Sequence, residues 1–189
     1  MAGESVRESH RLREPVSASD WACGPANAPV TLVEYLDFQC PHCQQAYPEV
    51  ERLRQTEGPH LRFVVRFFPL ESEHPQALLA ACAAEAAGRQ GRFWEMYDLL
   101  FQHPVKLMQE ELLRHAKQLG LDLTAFARDL TSAEVRVKVR HQKLQGVRSG
   151  VNGTPTFFIN EERYDGPPTA AGLTAALAKA AAAPVQSTR

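Results

Sequence analysis

The sequence predicts an α/β protein in which a strand–helix–strand unit is followed by a run of helices, a β-hairpin and a closing helix. Three observations carry this. Alternating residues over Val30–Leu36 and a Val- and Phe-rich stretch over Leu61–Phe67 flank a segment of helical character. From Pro75 to about Gly150 the apolar spacing turns helical. Beyond it, Pro155–Asn160 and Arg163–Asp165 read as a β-hairpin, and Ala170–Ala182 as a last helix.

Gly24-Pro25-Ala26-Asn27-Ala28-Pro29 is a cluster of chain breakers that sets the start of the first strand. There Val30, Leu32, Glu34 and Leu36 share one face, and Thr31, Val33 and Tyr35 the other. Pro41 suits the first turn of a helix, where its missing N–H leaves no bond unmade. That helix runs through Val50 and Leu53 to about Thr56, with a kink expected at Pro48. With Leu61–Phe67 it completes a βαβ unit. Gln76–Ala87 is alanine-rich and stops at Gly88, Phe93–Phe101 has an aromatic face, Glu110–Leu119 ends at Gly120, and Thr124–Leu130 is short. Ala133–Arg148 carries two patterns. Val135, Val137 and Val139 alternate as in a strand, but Val137, Leu144 and Val151 recur every seven residues, and the longer window favours a helix.

A chain of 189 residues with 44% hydrophobic and 23% charged residues is sized for one domain, with or without an insertion. The formal net charge of -1 offers no electrostatic case for nucleic acid. The longest uninterrupted apolar run, Ala77–Ala84, is far short of the ~20 residues of a membrane-spanning helix. Met1 to Asp20 holds Glu4, Arg7, Glu8, Arg11, Arg13, Glu14 and Asp20 without an apolar run, so residues 1–20 read as a polar, frayed tail rather than a secretory signal. The expected location is the cytoplasm. Residues 184–189 read as a C-terminal tail.

Two of the four cysteines form Cys40-Pro41-His42-Cys43. Thiol–disulfide exchange needs one thiol of lowered pKa and a second within reach. A first helical turn supplies both, because Cys40 faces unpaired backbone N–H groups and the positive end of the macrodipole. Cys43 lies one turn on, and His42 can add a donor or a positive charge. The alternatives are a zinc site or an inert buried pair. Zinc usually takes four ligands, and no second Cys-x-x-Cys or spaced His pair accompanies this motif, so no metal is expected. Cys82, among alanines, reads as a small core residue, and nothing pairs it with Cys23. Phe93, Trp94, Tyr97 and Phe101 read as core, and Arg136, Arg140 and Lys143 as a solvated basic stripe.

Val33 to Cys43 (Val-Glu-Tyr-Leu-Asp-Phe-Gln-Cys-Pro-His-Cys) together with Gly150 to Asn160 (Gly-Val-Asn-Gly-Thr-Pro-Thr-Phe-Phe-Ile-Asn) resembles the DsbA-like branch of the thioredoxin superfamily. Residues 24–30 and 86–94 resemble the same branch, and the similarity runs from about Trp21 to Ala182. The resemblance implies a thioredoxin fold over 21–74 and 150–183, interrupted by a helical subdomain over 75–149. It implies a cis Thr154–Pro155 peptide opposite the dithiol, with both residues docking an extended substrate. Read alone, Thr154-Pro155 is a tight turn into a strand. The resemblance also implies an acid at Glu34 that exchanges a proton with Cys43. On residue grounds Glu34 is either that acid or a strand-end carboxylate reaching solvent. Asp37 reads as a surface or capping residue.

The implied activity is disulfide exchange with protein thiols. Cys40 would be the nucleophile and Cys43 the resolving thiol, with a recycling redox partner or glutathione and no cofactor beyond the two sulfurs. A binding module, or a thiol enzyme acting on glutathione conjugates, are the other readings; neither needs Cys43. The Pro-His dipeptide matches DsbA, with a thiol pKa of ~3.5 and a potential of ~-120 mV, rather than thioredoxin, at ~7 and ~-270 mV. The expected intrinsic direction is therefore oxidising. In a glutathione pool poised at ~-220 to -320 mV such a pair would nevertheless sit mostly reduced.

Overall fold

The computed structural model describes residues 11–105 and 107–182. Five strands form one sheet in the order β1-β3-β2-β4-β5, with β1 at Trp21–Cys23, β2 at Val30–Leu36, β3 at Leu61–Phe67, β4 at Thr156–Ile159 and β5 at Glu162–Tyr164. β2 and β3 are parallel, joined through helix α1 (Pro41–Glu57), and every other pairing is antiparallel. Between β3 and β4 lie α2 (Ala77–Gly88), α3 (Phe93–Gln102), α4 (Gln109–Gln118), α5 (Leu123–Thr131) and α6 (Ala133–Arg148), and α7 (Ala170–Ala182) closes the chain. This is a thioredoxin-like sheet interrupted by helices.

The alternation expected of β2 holds. Leu32 and Leu36 face a large core that also takes Val50 and Leu53 of α1, Leu173 and Leu177 of α7, and the inserted helices. Val33 and Tyr35 face a smaller cluster with Leu12, Val64, Phe68 and Phe158. The hairpin between β4 and β5 turns through Asn160 and Glu161, both at positive φ (46° and 72°), the conformation of a two-residue type I′ turn.

β1 is absent from the sequence reading, because three residues are too few to show alternation. Its Trp21 ring stacks on Phe93 at 4.6 Å, and its indole N–H donates to Glu85 at 2.6 Å, which ties the sheet edge to the inserted helices. Gly24, at φ 84°, has no Cβ because one would sit 2.0 Å from the Leu61 carbonyl oxygen. α6 is helical as expected, with the Ser132 side chain accepting from Val135 N–H at 3.2 Å, but it buries a different face from the one its heptad suggests. Val135, Val139, Gln142 and Gly146 point inward, while Val137 and Leu144 are 66% and 46% exposed. Gly146 lets the helix approach Tyr35 and Phe68, where a Cβ would meet ring carbons at 2.8–3.0 Å.

The reading of residues 1–20 as a frayed tail needs correction over 11–20; residues 1–10 and the expected tail at 184–189 lie outside the described residues. Leu12 is buried, its N–H donates to Glu161 O at 2.7 Å, and the segment crosses the second face of the sheet. The cause is Arg66, buried on β3. Its guanidinium forms a two-pronged pair with Asp20 at 2.9 Å and donates to the Glu14 and Pro15 carbonyls and to Tyr35 Oη. A polar segment is held here by a buried cation that charge counting along the chain does not locate.

Candidate active site

β2 hands the chain to α1 through a short turn. Asp37 accepts Cys40 N–H on its carbonyl at 3.1 Å and Gln39 N–H on its carboxylate at 2.8 Å. Cys40 is the N-cap in extended backbone (φ -70°, ψ 122°), Pro41 starts the helix, and no side chain caps it. The first amides of α1 are thus left for the Cys40 sulfur itself. Burial separates the motif's members: Cys40 and Cys43 are buried, whereas Pro41 and His42 are exposed.

The two thiols are driven apart. Cys40 is lowered to about 5, chiefly by the hydrogen bond from the Cys43 thiol. Against the effect of burial, the Thr154 side chain and the backbone amides of Cys43 and His42 act in the same direction. Cys43 is raised well above the usual thiol value by burial, by that same bond and by the neighbouring Glu34 charge. His42 is exposed, and its backbone amide is one of the groups that lower Cys40. All four cysteines are free thiols; Cys82 is buried in α2 and raised to about 11 by that burial.

Antiparallel pairing of β4 with β2 sets Thr156 opposite Tyr35 and so carries the preceding residues to the end of β2 where α1 begins. The Thr154–Pro155 peptide is cis, and the Cys40 thiol donates to Thr154 O at 3.3 Å. Glu34, one step further along β2, is fully buried, with Oε2 lacking any partner among the described residues. Its pKa rises to about 8, first through burial and then through the Glu51 charge, with Arg54 opposing. Glu34 therefore does not reach solvent.

Asp37 is buried too. Besides capping the turn, its carboxylate accepts from Leu70 N–H at 2.9 Å and meets His74 Nδ1 at 2.8 Å, and its own N–H reaches Cys43 Sγ at 3.5 Å. Residue type alone gave no signal for those long-range contacts. Beside the cysteines lies an open groove of about 390 Å³ whose described lining is Gln39, Gln44, Gln76, Pro104, Val105, Leu107 and Met108, none of them charged. Gln39 fixes it to α2 by accepting from Gln76 N–H at 2.8 Å. Among the described residues, no group of three or more His, Cys, Asp or Glu side chains is arranged to hold a metal.

The structure is similar to that of a thioredoxin-like oxidoreductase from Silicibacter pomeroyi DSS-3, with a TM-score of 0.79 and 30% identity over 89% of this chain and 95% of that one. The thiol-disulfide exchange protein alpha-DsbA2 from Wolbachia pipientis shares the fold at a TM-score of 0.77 and 20% identity, over 86% of this chain and 88% of that one. Among curated proteins, the chain is 45% identical over 161 residues to the Na(+)/H(+) antiporter NhaA 3 of Salinispora tropica, an alignment covering 85% of this chain and 24% of that protein. It thus spans about a quarter of the length of the curated relatives it matches. No helix of the described residues is long and apolar enough to cross a membrane. The family model described as thioredoxin matches residues 17–179, which takes in the Cys40–Cys43 turn, the Thr154–Pro155 strand start and the whole helical insertion. By that match this chain belongs to the thioredoxin family, and its structure has the DsbA-like form of the fold.

Proposed function

We propose that this chain is a thiol–disulfide oxidoreductase acting on protein thiols and disulfides. The observation that carries it is the placement of two thiols at one helix start, Cys40 as the uncapped N-cap with its Sγ 3.3 Å from Thr154 O and Cys43 one turn on, with Cys40 lowered and Cys43 raised. Pairs whose environments push their pKa values apart mark division of chemical labour. Cys40 is the nucleophile and the leaving sulfur; Cys43 resolves the mixed disulfide; Glu34 accepts the Cys43 proton. Thr154, with its carbonyl 3.3 Å from Cys40 Sγ, and Pro155 lie where a chain joined to Cys40 would run, and we assign them to substrate docking. The two sulfurs complete the redox chemistry without a further cofactor, and a partner dithiol or glutathione resets them.

Protein substrates fit the groove beside Cys40. Pro104, Val105, Leu107 and Met108 offer apolar walls, and three glutamine amides offer hydrogen bonds to an extended backbone. The Wolbachia and Silicibacter proteins, named for thiol-disulfide exchange and as an oxidoreductase, support the same chemistry. Direction follows from the thiolate. At pH 7 a pKa near 5 rather than the ~7 of thioredoxin favours the reduced form by about 2 kcal/mol. A stabilised Cys40 thiolate moves the potential to the oxidising side of the thioredoxin value of ~-270 mV.

Trapping tests this reading. In Cys43→Ser the resolving thiol is gone, so incubation with an oxidised peptide should accumulate a mixed disulfide at Cys40, read by mass spectrometry. A Cys43→Ser protein that forms no adduct would contradict it.

A further inference from the structure

We propose that Glu51, held by Arg54, is the outlet through which the proton taken up by Glu34 reaches solvent. This rests on the exchange mechanism above and completes it, since a fully buried acid cannot itself release a proton. Glu34 pairs with Val65 across the parallel strands and Leu32 with Phe63, so Phe63 is the diagonal neighbour of Glu34 on the same sheet face. Phe63 also walls an open cavity of about 280 Å³, together with Glu51, Arg54, Gln55 and Cys23. The cavity thus reaches the sheet one neighbour away from Glu34.

Arg54 spans the gap. It pairs with Glu51, and its guanidinium lies 4.5 Å from the Trp94 ring centroid, 5.6 Å from that of Phe63 and 6.0 Å from that of Tyr97. Glu34 interacts electrostatically with Cys43, Glu51 and Arg54 of α1 and Tyr97 of α3; Glu51 does so with Glu34, Arg54 and Tyr47, with Tyr97 and Asp98 of α3, and with Cys23 of β1. Arg54 pairs with Glu51, its charge also lowers Glu34 and Asp98, and burial raises all three carboxyls. A carboxyl that holds a proton near neutral pH, as Glu34 does at about 8, is suited to passing it on. Glu51 lies eight residues beyond Cys43, about 12 Å along the helix axis. The proton would leave on a side remote from Cys40, which can stay covered by a bound chain.

The step balances as follows. Cys43 gives its proton to the Glu34 carboxylate, and its thiolate attacks the Cys40 sulfur of the mixed disulfide. The Cys40–Cys43 bond forms as the bond from Cys40 to the substrate sulfur breaks. That sulfur departs as a thiolate with the electron pair of the broken bond, while Cys43 supplies the pair of the new one. Protonated Glu34 then passes its proton to Glu51 and to water in the cavity.

The test starts from the mixed disulfide between Cys40 and glutathione and follows glutathione release against pH in the native protein, Glu34→Gln and Glu51→Gln. The release rate is divided by the rate at which Cys40 attacks oxidised glutathione. Glu51→Gln should lower this ratio roughly 5- to 20-fold at neutral pH, part of a typical general-base effect, and change its pH profile. Formate, small enough for the cavity, should restore it. An unaltered ratio and profile in Glu51→Gln, with Glu34→Gln slowed, would overturn the outlet and leave the exchange mechanism standing. So would slowing that keeps the native profile and is not restored by formate, which marks a packing role. A native protein that forms no mixed disulfide would overturn both.

Discussion

Cys40→Ser is expected to abolish exchange, lowering the rate of peptide disulfide reduction by about 10⁴-fold or more, the scale seen when a catalytic nucleophile is removed. The effect is large because no other thiol can substitute. Cys43 is held protonated behind Cys40, Cys82 is buried among alanines and raised to about 11, and burial raises Cys23 as well. The pH dependence is equally specific. Attack by Cys40 should follow its thiolate fraction, half-maximal near pH 5 and level above it, whereas an ordinary cysteine climbs until about 8.5. A pKa lowered by folding stabilises the reduced protein fully above the unfolded thiol value. That contribution fades as pH falls towards the folded value near 5. The reduced form should therefore lose stability relative to the oxidised form on acidification through that window, as paired unfolding titrations would show.

Asp20→Ala is expected to destabilise the fold by about 3–5 kcal/mol, measured by urea unfolding. Arg66 and Asp20 have side chains only 2% and 4% exposed, so removing the carboxylate leaves a guanidinium uncompensated in the interior. The Glu14 and Pro15 carbonyls and Tyr35 Oη still accept from it, but they carry no charge to oppose its own. Replacing both partners by apolar residues should be much milder, because the loss comes from orphaning one ion rather than from missing the pair. Equal losses in the single and double variants would refute this account of how residues 11–20 are held.

The parts of the molecule legible in the sequence are those specified by local chemistry. Pro41 after Cys40 marks the helix start, alternation marks β2, and glycine marks the ends of α2 and α4. The misses share a cause, which is contact between residues far apart in the chain. Residues 11–20 look unstructured until Arg66, on β3, is placed behind them. Val137 and Leu144 make a plausible heptad, yet the buried face is chosen by where α6 crosses Tyr35 and Phe68. In the site, the cysteine pair and Thr154–Pro155 could be named from the motifs. The burial of Asp37 depends on Leu70 and His74, and the carboxyl cluster around Arg54 on the packing of α3 against α1. The backbone amide of His42 is among those turned toward the Cys40 sulfur, a contribution that a helix start supplies whatever the residue type.

Equilibration of the purified protein in graded glutathione buffers, with the Cys40–Cys43 state read by thiol alkylation, addresses the central claim most directly. The account predicts that the two thiols oxidise together as one pair, half-reduced at a potential above the thioredoxin value of ~-270 mV. A pair that fails to equilibrate, or one with a potential at or below ~-270 mV, would contradict a stabilised Cys40 thiolate resolved by Cys43.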